Sequence, residues 1–190
     1  MNLFTTLYSL LSTVFLPKYL PLYSYRYHGL DIRSSLEFPE LESSVFNTCN
    51  LLISEGSVAG LLPDGTVQEQ GSLFEDYLDF RSGTSGTLLS IKDIGHIWIS
   101  TTGEIVIDRL PGASKEGIRF FILGTALGIF LLQKGAFPMH GSTVTGKGKS
   151  LMFVGPSGAG KSTMSTYWLD NGYTLRTTSA WCSFLHKIYQ

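Results

Sequence analysis

The residues Gly155-Pro156-Ser157-Gly158-Ala159-Gly160-Lys161-Ser162 satisfy the spacing G-x-x-x-x-G-K-[ST] at every fixed position. Each residue type has a chemical use there. Glycines at 155, 158 and 160 let the backbone fold tightly and turn its N–H groups toward a phosphate. A helix starting at Lys161 would bring its positive end to the same anion. The Lys161 ammonium can reach β- and γ-phosphates, and the Ser162 hydroxyl can bind a Mg²⁺ that bridges them. Thr163 completes the expected binding segment. The competing reading is a glycine-rich turn that binds nothing.

The flanking elements favour the first reading. Ser150–Val154 is a short apolar strand leading into the loop, and a helix is expected over Lys161–Asn171, with Gly172 at its C-terminal cap. Tyr167 and Trp168 read as core-facing aromatics of that helix. Upstream, Met139–Val144 reads as a strand joined to Ser150–Val154 through the turn Thr145-Gly146-Lys147-Gly148-Lys149, whose lysines read as solvated. Before it, Ser114 can cap a helix running to about Gln133, with Gly135 ending it and Pro138 blocking continuation.

A break at Pro111-Gly112 divides the sequence into residues 1–110 and 111–190. The first part reads as β-rich. Tyr23–Tyr27, Leu73–Phe80 and Gly95–Ser100 have strand character, and Gly103–Asp108 follows a hairpin turn at Thr101-Thr102. Val45–Ile53 fits helix or strand equally.

Composition limits the function classes. Of 190 residues, 43% are hydrophobic and 15% charged, so the chain can bury a core. A net charge of −1 gives no electrostatic reason to expect nucleic acid or an acidic membrane surface as partner. Cys49 and Cys182 form neither a metal pattern nor a disulfide framework, and read as reduced thiols of a cytoplasmic protein. Leu3–Leu16 is apolar but lacks the basic start and cleavage site of a signal peptide. Phe120–Leu132 is short for a membrane span and reads as a helix buried in a protein core.

His140-Gly141-Ser142, the Gly146–Lys149 turn, the strand into Gly155–Ser162, and Gly172-Tyr173-Thr174-Leu175 together resemble the HPr serine kinase family and its HPr-kinase-like relatives. The resemblance covers roughly residues 120–175. It implies a mixed α+β or α/β chain: a β-rich N-terminal region, then the start of a phosphoenolpyruvate-carboxykinase-like P-loop kinase core. It also implies ATP, Mg²⁺ and phosphoryl transfer to a hydroxyl of a seryl protein or a small molecule, with homo-oligomers among the relatives. By the same analogy Gly155–Ser162 holds the phosphates, and His140 sits beside the γ-phosphate and a catalytic carboxylate.

The sequence departs from that pattern after Leu175. Relatives continue with Ser-Asp-Asp; here the chain reads Arg176-Thr177-Thr178, and no Asp or Glu follows Asp170. Loss of a general base alone lowers a rate by about 10²–10⁴-fold. If Leu175–Thr178 is encoded CTT CGG ACG ACN, the frame displaced by two bases reads Ser-Asp-Asp, so residues 176–190 read as an out-of-frame tail without helix or strand period. On this reading the kinase core is incomplete and transfer impaired. The alternatives are a non-catalytic nucleotide-binding module or a fragment without function. Strands lacking later partners would leave a sheet edge and the apolar helix partly exposed, which predicts dimerisation or aggregation.

Overall fold

The computed structural model describes residues 22–61, 69–73, 77–156 and 158–184. Leu3–Leu16, Ser157 and residues 185–190 lie outside them. Strands dominate the first part: β1 (Tyr23–Tyr27), β2 (Leu30–Ser34), β3 (Leu51–Glu55), β4 (Glu69–Leu73), β5 (Leu78–Ser82), β6 (Gly86–Ile91), β7 (Gly95–Ser100) and β8 (Glu104–Arg109). They form an eight-stranded mixed sheet in the order β1-β2-β3-β8-β7-β6-β5-β4. β3 pairs in parallel with both β2 and β8, while the other neighbours are antiparallel. The β1–β2 turn places His28 and Gly29 at φ +50° and +76°, the two positive values that a two-residue hairpin matching strand twist requires.

Two expectations change here. Leu73–Phe80 is not one strand: Leu73 ends β4 and pairs with Leu78, which opens β5. The connection carries no Gly or Pro, so local composition does not mark the reversal. Val45–Ile53 is neither helix nor strand over its first part; β3 begins only at Leu51, and Val45 is 97% exposed. β2 and β6 were not foreseen. The hairpin at Thr101-Thr102 does form, tightened by a 2.7 Å contact between the Ser100 and Thr102 hydroxyls.

Gly112 turns the chain at the Pro111-Gly112 break, and α1 (Lys115–Gln133) then packs onto this sheet. Ser114 caps α1, its Oγ accepting from the Gly117 amide at 3.0 Å. Gly135 ends it in a Schellman motif: the Ala136 amide donates to Leu131 O and the Gly135 amide to Leu132 O. One turn, Ile122–Ala126, widens to a π-helix. Ile118, Phe121, Ile122, Ala126, Leu127 and Phe130 close the core against Ile32, Leu51, Ile53, Leu89, Ile97, Ile99, Ile105 and Ile107. By length and composition α1 could cross a membrane. Its buried stripe is the lid of the sheet core, but the helix is not sealed all round, since Phe120 is 72% exposed.

β9 (Phe137–Gly146), β10 (Lys149–Val154) and β11 (Thr174–Phe184) form a second, antiparallel sheet in the order β10-β9-β11. Lys147 and Lys149 are exposed in the β9–β10 turn, as expected. The segment after Leu175, expected to lack a strand period, runs as strand to Phe184 and takes the edge of β9 that was expected to stay open. Main-chain pairing needs no side-chain alternation. The register slips between Leu175 and Thr177 and again between Thr177 and Ala180, each slip taking up one extra residue on β11. Among the described residues β10 has a neighbour on one side only.

Candidate phosphate-binding site

β10 delivers the chain to the loop at Val154, and α2 (Lys161–Asp170) leaves it. Gly158 and Gly160 take the left-handed backbone, at φ +80° and +81°. Few other residues tolerate it, which is why glycine is needed at these two places. Gly155 serves by size instead: a Cβ there would stand 3.2 Å from Ala159 Cβ. The Ala159 amide donates to Pro156 O at 3.2 Å and closes the turn.

Gly160 is the N-cap of α2 and offers no side-chain cap. The first amides of a helix have no intrahelical acceptor, and they carry the positive end of its dipole. Ser162 and Thr163 lie exposed in that first turn. The Lys161 Nζ turns back over the loop and donates to Gly155 O and Pro156 O, both at 2.8 Å. An ammonium, an uncapped helix start and an exposed hydroxyl thus gather within one turn of chain, a set of groups suited to an anion.

β9 brings the second sequence feature to the same place. Its ladder with β10 ends at Gly141 opposite Val154, and His140 and Gly155 are the next residues beyond that last pair. On its other side His140 pairs with Trp181. Ser157 falls outside the described residues. No family model, curated protein or solved structure matches this chain.

The loop helix faces the sheet through Lys161, Ser165 and Trp168, a stripe at helical spacing. Trp168 is half-buried, its ring 4.8 Å from that of Tyr173. Tyr167 was expected in the core but falls off the stripe and is 58% exposed. Gly172 ends α2 as foreseen, with the Tyr173 amide donating to Trp168 O and the Gly172 amide to Leu169 O.

Two features were not legible beforehand. The carbonyl grip on Lys161 depends on loop closure, and nothing in the residue types signals it. Ser165 is buried and its Oγ donates to Lys161 O at 3.1 Å, which ties the first turn of α2 from inside. A carboxylate near the loop is lacking among the described residues that follow it: Asp170 sits eight residues beyond Ser162, about 12 Å along the helix. Among the described residues no three His, Cys, Asp or Glu side chains cluster in a way that could hold a metal.

Proposed function

We propose that Gly155–Thr163 grips the phosphates of ATP together with Mg²⁺, in a chain of the HPr serine kinase type built on a phosphoenolpyruvate-carboxykinase-like core. The ancestral reaction is phosphoryl transfer to a hydroxyl of a seryl protein or a small molecule. The observation that carries the reading is Lys161 folded over a loop whose helix start is uncapped. Bound Mg²⁺–ATP would supply the phosphoryl group. Lys161 would leave its two carbonyls for the β- and γ-phosphates, and the first amides of α2 would take the phosphate oxygens. Ser162 would hold the metal by one ligand, with phosphate oxygens and water filling the rest, as Mg²⁺ prefers. His140, next along β9 from the last β9–β10 pair, would stand by the γ-phosphate as the resemblance implies.

Binding exceeds transfer in this reading. Thr177 and Thr178 stand where the resemblance expects the aspartates that orient the acceptor hydroxyl and share the metal, and the loss of a base costs about 10²–10⁴-fold. That observation favours a second reading, a nucleotide-binding module without catalysis. Calorimetric titration with ATP, with and without Mg²⁺, on wild type and Lys161→Ala tests the site. Labelled-phosphate transfer separates the two readings. Saturable binding lost in Lys161→Ala supports the site; absence of any nucleotide binding by the folded wild type refutes it. Fast transfer would show that the missing carboxylates do not matter.

A further inference from the structure

The β9–β10 ladder ends at the pair in which Gly141 lies opposite Val154. Gly141 is buried and does not use left-handed backbone, so it is not a turn glycine. It meets a different demand. A Cβ on Gly141 would sit 2.5 Å from Phe153 O and 2.9 Å from Met152 Cε. Met152 can swing aside, but Phe153 O is a main-chain atom inside the ladder. Carbon–oxygen contacts settle at about 3.3–3.6 Å, so a methyl group would push the end of β10 by most of an ångström. Two residues beyond Phe153 stands Gly155, whose carbonyl holds Lys161 Nζ.

We infer that Gly141 is a positioning residue for the phosphate loop: its bare Cα lets β9 set the end of β10, and through it the Gly155 and Pro156 carbonyls and the Lys161 ammonium. This inference rests on the reading of Gly155–Thr163 as a phosphate site. Gly146, at the opposite end of β9, is the natural control. A Cβ there would stand 2.9 Å from the Tyr173 ring, crowding the far side of the sheet and not the loop.

The experiment compares Gly141→Ala with Gly146→Ala by hydrogen exchange and by ADP titration, at a temperature where both are folded. Both variants lose some stability. Only Gly141→Ala speeds amide exchange over residues 155–162 and weakens ADP binding, by about tenfold or more. Equal loop exchange in the two variants, or wild-type ADP affinity in Gly141→Ala, overturns the inference. Should the wild type bind no nucleotide, the phosphate-site reading fails, while the exchange comparison still judges Gly141. If Gly141→Ala does not fold, wild-type hydrogen exchange carries the test: the amides of residues 155–162 should open together with those of Phe153 and Val154, and independent opening overturns the inference.

Discussion

Lys161 Nζ lies 2.8 Å from the carbonyl oxygen of Gly155, so the ammonium closes the loop on itself. A second bond of 2.8 Å to Pro156 O makes the grip two-pronged. These are charge-assisted bonds, and a phosphate must offer the ammonium at least as much. Lys161→Ala should therefore weaken ATP binding by about 10–100-fold, the effect of losing a hydrogen bond to a charged group worth about 1.5–3 kcal/mol. The melting temperature should also fall modestly, because the free protein loses the two carbonyl bonds that close the loop while the sheet core stays intact. Calorimetry and thermal melting on the same samples check both halves.

The α1 helix divides into a face that holds the fold and a face that does not. Phe130 is fully buried among the sheet isoleucines, whereas Phe120 is 72% exposed. Phe130→Ala should cost about 3–5 kcal/mol, and Phe120→Ala less than about 0.5 kcal/mol. Urea unfolding midpoints with unchanged slopes would measure the difference. Equal costs would mean that α1 does not pack on the sheet through Phe130.

The His28 turn makes stability depend on pH. Among the described residues its buried Nε2 has no hydrogen-bond partner, and burial holds its pKa below the ordinary histidine value. The unfolded chain therefore binds a proton more readily than the folded one. The associated stability is complete above about pH 6.5 and falls as pH drops toward the lower folded value. Asp31 and Glu116 have lowered pKa values for a different reason, hydrogen bonding to their charged forms, and lose their contribution only at more acid pH. His28→Asn keeps a residue tolerant of positive φ and removes the imidazole. Between about pH 7.5 and pH 5 the variant should lose less melting temperature than wild type. Parallel curves would contradict this.

Local signals were the legible ones. Ser114 as cap, Gly135 and Gly172 as helix ends, the Thr101-Thr102 hairpin and the Gly158 and Gly160 turns all follow from conformations that few residue types adopt. What the residues did not announce was non-local. Parallel pairing of β3 with β2 and β8 joins segments far apart in sequence, and period-two alternation says nothing about which neighbour a strand will take. The reversal between Leu73 and Leu78 was hidden because no glycine or proline marks it. Tyr167 was misplaced because an aromatic residue beside a tryptophan suggests a core, whereas helical phase decides that only Trp168 faces inward. At the site, spacing marked the glycine-rich turn, but the position of His140 just beyond the end of the β9–β10 ladder needed the register.

On the proposed kinase reading, a catalytic carboxylate would stand on β11. Thr177 pairs with Thr143 on β9, two residues along that strand from Gly141 and the loop entrance. The family pattern would place its aspartates at 177 and 178, within a stretch where β11 slips register against β9. Bulges of this kind re-aim side chains and recur beside active sites. If the proposed kinase reading is right, installing Thr177→Asp and Thr178→Asp should raise phosphoryl transfer by about 10²-fold or more with Mg²⁺ present, because the pair would supply a base and a metal ligand. ATP affinity should change far less than rate, since Lys161 and the start of α2 remain intact. Single-turnover transfer from labelled ATP to water or to an added serine peptide measures the gain. If the double variant binds Mg²⁺–ATP as wild type does and transfers no faster, the missing carboxylates are not what limits the chemistry.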